Sequence, residues 1–292
     1  MAERRWKGTT YGNGWMHKWL IRMLAVVDVR LLYVFTAVCI IPFCLMFNRS
    51  RGIIYGYFRR RIGYGRLKSA WKTYINHCLF SQVVIDRFAM YAGRRFSVEI
   101  EGYDSFLDLA KRPEGFVILS SHIGNYELAG YTLLSTEKVF NALVYSGEKE
   151  SVMQNRNRLL SEKNINTIAI RQDMSHLFEI DGALQRGEIV SIPGDRINGS
   201  PKCMERQFLG AKASFPLGPL VLATARSLSV LSVNVMKESW TRYRIFVRPL
   251  EYDKCGKRNE RIRQLSDEYV RELERTLLRY PEQWYNYFDF WK

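Results

Sequence analysis

The chain has 292 residues, enough to bury a full core within a single α/β domain. Hydrophobic content of 47% and aromatic content of 14% exclude a disordered chain. Lys+Arg 44 against Asp+Glu 29 leaves +15, which draws nucleic acid, an anionic membrane surface or an acidic protein partner and chooses among none of them.

The charge concentrates near the N-terminus. "WMHKWLIRMLAVVDVRLL" (15–32) sets Trp15, Trp19, Leu20, Met23, Leu24 and Val27 near helical spacing among basic residues, as in helices that lie in a membrane interface. No acidic residue falls between Asp28 and Asp86, where Arg30, Arg49, Arg51, Arg59, Arg60, Arg61, Arg66, Lys68 and Lys72 all lie. Inside this zone "LLYVFTAVCIIPFCLMF" (31–47) is uncharged and interrupted by Pro42. It is just short of the roughly 20 residues that span a bilayer. "FCLMFNRSR" offers no small-residue cleavage site, so the run does not read as a signal peptide. A buried core helix with a solvated basic face carries a similar pattern. Apolar length, tryptophans and one-signed charge together favour attachment to an anionic membrane surface. Basic flanks on both sides leave a span, a re-entrant element and an interfacial helix all open.

Beyond this zone the hydrophobic period alternates. Residues 69–92 read as a helix ended by Gly93, and "FSVEIEG" (96–102) as a strand with Phe96, Val98 and Ile100 on one face. "GFVILSS" (115–121) is a continuous apolar strand, with a helix from about Asn125. Strand "FNALVYS" (140–146) precedes a helix over 151–163. Strand "INTIAI" (165–170) precedes a helix over 174–186 closed by Gly187, then strand "EIVSIPG" (188–194). "PLGPLVLATARS" (216–227) reads as a helix, "LSVLSVNVM" (228–236) and "YRIFVRPL" (243–250) as strands. A charged helix over 257–280 leads to an aromatic tail. Strands alternating with helices predict an α/β fold: a mostly parallel central sheet flanked by helices, with ligands bound beyond the carboxyl ends of the strands. The expected division is a helical, basic, membrane-associating region over 1–93 and an α/β domain over 94–292. Five scattered cysteines without a CxxC pair fit free thiols in a reducing compartment.

Within this pattern "FVILSSHIGNYELAG" (116–130) carries the chemistry. Gly124 permits a sharp turn and Asn125 is a good helix N-cap, which leaves His122 ahead of the helix and Glu127 in its first turn. Glu127 can then hydrogen-bond one imidazole nitrogen and leave the other as a proton acceptor, with helix-start N–H groups near a developing oxyanion. A lone histidine before a helix is more often a capping or packing residue. A metal pair is disfavoured because residues five apart on a helix point roughly 140° apart. The Ser-centred G-x-S-x-G turn is absent from "LSSHIG".

"SSHIGNYELAG" resembles the H-x4-[DE] block of the lysophospholipid acyltransferase-like enzymes, and most closely that of the bacterial lipid A late acyltransferases. "NRNR" (155–158), "RGEIVSIPGDR" (186–196), "FLGAKASFPLGPLVLATA" (208–225) and "YPEQWYNYFDFW" (280–291) resemble later blocks of that family in the same order. After Trp284 the tail departs, with Asn286 and Asp289 where relatives tend to carry aromatic or basic residues.

The resemblance implies an acyltransferase moving a fatty acyl chain from a thioester to a hydroxyl or amine of a lipid acceptor, a lipid A precursor first of all, with an amino-acid lipid or glycolipid as the alternative acceptor. His122 would be general base and Glu127 its orienting partner. Gly124 and Asn125 would shape the turn. Arg156 or Arg158 would bind the thioester carbonyl or an anionic head group. Asp195 would line the acceptor pocket or hold Arg196. The plainer readings are a solvated basic face for the arginines and ordinary turn chemistry for Asp195. The implied donor is acyl carrier protein, with acyl-CoA open, and no metal or redox cofactor is called for. Arg59, Arg60, Arg61 and Lys68 are candidate docking residues for an acidic carrier. The expected place is the inner membrane, with the catalytic domain facing the cytoplasm. The basic charge also fits a nucleic-acid binder, yet no RNP, zinc-finger or helix-turn-helix signature is present, and no nucleic-acid partner is expected. A non-catalytic membrane-binding protein would leave His122 and Glu127 idle.

Overall fold

The computed structural model describes residues 13–48, 50–133, 135, 137–145, 153–155, 165–171, 173–197 and 202–291. Helix α1 covers Gly14–Val26, capped by the Asn13 side chain, and α2 covers Val29–Phe35, capped by Asp28. A π-helical turn, Thr36–Ile40, joins α2 to α3, Ile41–Phe47. Pro42 explains the turn: its ring has no N–H and would crowd the preceding carbonyls, which a widened turn relieves. The result is one apolar helical run, Val29–Phe47, of 19 residues, long and apolar enough to cross a membrane by length and composition. Helix α4 covers Arg51–Arg60 and α5 Arg66–Tyr91. Gly93 sits at φ +85, closing α5 as its position predicts.

Strand β1 is Ser97–Glu101, α6 Tyr103–Lys111, β2 Phe116–Gly124, α7 Tyr126–Thr132, β3 Phe140–Tyr145 and β4 Ile165–Ile170. Helix α8 is His176–Gln185 and β5 Ile189–Pro193. A hairpin follows, β6 Cys203–Phe208 and β7 Ala211–Pro216, then α9 Leu217–Ala225. Strands β8, Ser229–Lys237, and β9, Arg242–Pro249, precede α10, Arg258–Arg279. The sheet order is β1-β9-β8-β2-β5-β3-β4. Every pair is parallel except β8 with β9, so the expected mostly parallel sheet is observed.

Two elements went unread in the sequence. Helix α6 lies in a stretch given no assignment. The β6–β7 hairpin turns at Leu209 and Gly210, both at positive φ, without the Asn-Gly or Asp-Gly pair that signals such a turn. The helix expected over 151–163 falls largely outside the described residues.

Alternate residues of β2 feed opposite sides of the sheet, as strand geometry requires. Val117 and Leu119 join one core with Ile54, Tyr57 and Phe58 of α4; Phe116 and Ile118 join the other with Phe106 of α6. The core therefore runs across residue 93. Asn76 of α5 also donates to the carbonyls of Glu282 and Trp284, at 2.8 and 2.9 Å, and ties the C-terminal tail to that helix.

Candidate active site

Strands β2 and β5 are parallel neighbours, so their carboxyl ends reach one edge of the sheet together. Gly194 N–H donates to the Ser120 carbonyl at 2.9 Å, and Tyr269 of α10 donates its hydroxyl to that same oxygen at 2.8 Å. A Cβ on Gly194 would come within 2.9 Å of the Tyr269 ring, so a glycine lets the two strand tips close.

This closure brings His122 to Asp195. One carboxylate oxygen of Asp195 accepts the His122 backbone N–H at 2.8 Å, and the other meets Nδ1 at 2.8 Å. Asp195 is only 3% exposed. Burial works against its charge, but the His122 ring and backbone and the Arg196 charge outweigh that, and the carboxyl sits below its usual range. An ionised carboxylate only accepts, so Nδ1 carries a proton, and in the neutral ring Nε2 is then the acceptor. The His122 side chain is 19% exposed, and the Tyr126 ring lies edge-on to it at 5.1 Å. A partly exposed imidazole in that neutral tautomer can take a proton.

The end of β2 that carries His122 is irregular. The β2–β8 register shifts between Ser120 and Gly124, as in a bulge that re-aims a side chain. Gly124 has φ +60, and a Cβ there would lie 1.9 Å from the Val235 carbonyl, so the expected glycine turn is present. Asn125 differs from expectation. Its side chain makes no cap for α7 and instead donates to the Tyr243 hydroxyl at 3.3 Å, because its backbone N–H is drawn to the Val235 carbonyl at 2.8 Å.

Glu127, expected to orient the ring, has an ionic partner on another element. The carboxylate on Nδ1 is that of Asp195, while Glu127 pairs with Arg87 of α5 at 3.1 Å. The physical reason is long-range. Asp195 is delivered by the neighbouring strand, and α5 offers Glu127 a cation. Arg87 was missed in the sequence, since nothing in a 26-residue helix marks which residue faces a loop thirty-five positions on.

Asp195, expected to line a pocket or hold Arg196, holds His122 and feels the Arg196 charge as well. Arg196 donates to the Tyr285 carbonyl at 3.4 Å, and its guanidinium lies 5.8 Å from the Phe288 ring. Burial pulls its pKa below the ordinary value, against the opposing pull of Asp195. Trp284 bridges to Ile123, so the tail aromatics pack against the same loop. Arg156 and Arg158 lie outside the described residues. Among the described residues no group of three or more His, Cys, Asp or Glu side chains is placed to hold a metal ion.

The architecture is that of an α/β protein with a carboxylate-held histidine at the carboxyl edge of its parallel strands. Residues 88–292 match the family of bacterial lipid A biosynthesis acyltransferases, and the chain belongs to that family. It is thus an acyltransferase of lipid biosynthesis. No curated protein matches the chain. Among solved structures it is similar to the 1-acyl-sn-glycerophosphate (LPA) acyltransferase PlsC from Thermotoga maritima. That pair shares 18% identity with a TM-score of 0.39, covering 93% of this chain and 100% of the other.

Proposed function

We propose that the protein transfers a fatty acyl chain from an acyl thioester directly to a hydroxyl or amine of a lipid acceptor, a lipid A precursor first of all, with His122 as general base. The observation that carries this reading is the buried Asp195 carboxylate bonded to both the ring and the backbone of His122. Nε2 takes the acceptor proton while the freed oxygen or nitrogen attacks the thioester carbonyl. The tetrahedral intermediate collapses, the C–S bond breaks, and the departing thiolate takes the proton from the imidazolium. Ester or amide and free thiol result, with no enzyme-bound acyl group. Asp195 stabilises the imidazolium between these two transfers. Arg196, beside the dyad, and Arg156 or Arg158, by family resemblance, are the cations for developing oxyanion charge or an anionic head group.

The donor in this reading is acyl carrier protein, whose acidic surface suits the +15 chain. Arg61 lies over Trp291 of the C-terminal tail at 4.6 Å and Lys68 over Tyr64 at 3.9 Å, and with Arg59 and Arg60 these are the candidate carrier-docking residues. Attachment is to an anionic membrane surface, the cytoplasmic face of the inner membrane, with Val29–Phe47 lying in the interface rather than spanning. Three contacts support that posture. Tyr33 meets Asp86, Thr36 Oγ1 lies 3.3 Å from Ser81 Oγ, and Tyr74 donates to the Ala37 carbonyl at 2.9 Å. The run therefore lies antiparallel along α5, a helix of the catalytic body. Only 17% of its apolar window is buried, against most of it for a core helix.

The test uses purified full-length protein with lauroyl-carrier protein or lauroyl-CoA, lipid extract as acceptor, thiol release and mass spectrometry of the products. Wild type should release thiol and add one acyl chain to a lipid, and His122→Ala should lose about 10²–10⁴-fold in turnover. Near-wild-type turnover by folded His122→Ala would remove the base assignment. A product on another polar lipid would keep the chemistry and replace the lipid A precursor. Reversing Arg60 and Arg61 to Glu should raise KM for the carrier protein and spare lauroyl-CoA; equal impairment with both donors rejects carrier docking there.

A further inference from the structure

Two consecutive side chains of α5 are linked to the His122 segment, Arg87 directly at Glu127 and Asp86 through Tyr243. Asp86 is fully buried and accepts the hydroxyls of Tyr33 from α2 and Tyr243 from β9. It also pairs with Lys237 of β8, itself 2% exposed at the side chain. Tyr243 in turn accepts the Asn125 amide at 3.3 Å. Lys237 is fixed from behind, since Gln283 bonds its backbone N–H and carbonyl, each at 2.8 Å. The next residue, Arg87, pairs with Glu127 at 3.1 Å, with side chains 14% and 8% exposed. Besides the Ile123–Trp284 bridge and the Asn125 N–H bond to Val235, side chains hold the segment at three places: His122 by Asp195, Asn125 through Tyr243, and Glu127 by Arg87. Two of these side-chain holds trace to adjacent residues of α5.

Such an arrangement is costly as a mere fastening. Taking a carboxylate and an ammonium out of water costs several kcal/mol per ion, and apolar residues of similar volume would join the helix to the sheet at least as stably. What ionic and hydroxyl partners add is direction. The β2–β8 ladder is interrupted between Ser120 and Gly124, where a positive-φ glycine follows, and directional side-chain bonds on either side of the interruption add what the broken ladder does not.

We propose that Asp86 and Arg87 are positioning residues for the His122 loop, and that Tyr33 makes the seating of the membrane-facing helix part of the assembled site. The proposal rests on the reading of His122 as base. It adds that the N-terminal helices act on turnover, not only on where the protein sits.

The experiment compares full-length wild type with Arg87→Gln, Arg87→Lys and Tyr33→Phe in detergent micelles, where membrane recruitment is absent. Thermal unfolding reports folding. Carbethoxylation of His122 by diethyl pyrocarbonate, followed by mass spectrometry of its peptide, reports the loop without any turnover. Thiol release from lauroyl-CoA with lipid extract reports kcat and KM. Arg87→Gln should fold, expose His122 to several-fold faster carbethoxylation, and lose up to about 10²-fold in kcat at nearly constant KM, the cost of a small misplacement. Arg87→Lys should recover part of both. Tyr33→Phe deletes one hydroxyl and folds if Arg87→Gln does not; it should show the same two changes in weaker form. Folded Arg87→Gln or Tyr33→Phe with wild-type carbethoxylation and wild-type kcat overturns the proposal. If His122→Ala retains turnover, the base reading fails separately, and the carbethoxylation rates still decide whether α5 holds the loop.

Discussion

Two apolar stretches meet opposite fates in this protein. Phe116, Val117, Ile118 and Leu119 of β2 are at most 1% exposed, whereas in Val29–Phe47 only Val29, Tyr33 and Ile41 are buried. A central strand of a parallel sheet is covered on both faces, so each of its residues finds a core. A helix packed on one neighbour buries one stripe and leaves the others to something else. Leu31, Val34, Phe35, Val38, Phe43 and Phe47 make up that uncovered surface, with Trp15 and Trp19 of α1 beside it. In the proposed reading the first stretch aims the reacting group and the second offers a surface for lipid.

The sharpest way to break this division is at the tip of β2. Asp195→Asn should cut turnover by about 10²–10⁴-fold, because Asp195 accepts two donors from His122 and an amide accepts only one of them. Flotation with anionic vesicles should be unchanged, so a joint loss of turnover and flotation would show the two regions are not separable. Next in size is the strand itself. Ile118→Ala empties a fully packed position and should destabilise the fold by about 2–5 kcal/mol, read from denaturant midpoints.

The outer face of the helical run should behave in the opposite way. Changing Phe43, Met46 and Phe47 together to Ser should leave stability within about 0.5 kcal/mol, since all three are exposed. Partition to anionic vesicles should fall about tenfold or more, as buried aromatic and Met side chains contribute about 1.5–3 kcal/mol each at full burial. Raising salt should release wild type poorly, because apolar burial is not screened. Full extraction by salt would mean that charge alone holds the protein to lipid.

The parallel sheet, its helices and the glycine turn were legible because each is local: an apolar run, a period, a punctuating residue. His122 was legible for the same reason, since a strand that ends in Ser-Ser-His announces an interruption. Its partner was not. Glu127 is near in sequence and Asp195 near in space, and only the pairing of β2 with β5 reveals the second kind of nearness. Asp195 drew attention as a turn residue of a family-like segment, but nothing in "PGDR" says which strand stands beside it. Arg87 and Asp86 fail for a like reason: their helix was read correctly, while the surface it meets is built from β8, β9 and the loop after β2.

The smallest effect concerns acid stability and again contrasts the two regions. Asp195 has a depressed carboxyl pKa: burial opposes ionisation, and His122 and Arg196 more than offset it. A depressed folded-state value means that its contribution is full above the unfolded value of about 3.9 and is lost as pH falls through the folded one. Wild type should therefore exceed Asp195→Asn in stability at pH 6, with the gap narrowing as pH drops below about 4. The triple change of Phe43, Met46 and Phe47 involves no titrating group, so its small gap to wild type should stay level over that range. Denaturant midpoints for the three proteins from pH 6 to pH 3 decide it. A gap for Asp195→Asn that stays constant into acid would show that His122 and Arg196 do not hold this carboxylate in its charged form, and the fixed Nδ1 proton on which the base assignment depends would lose its support.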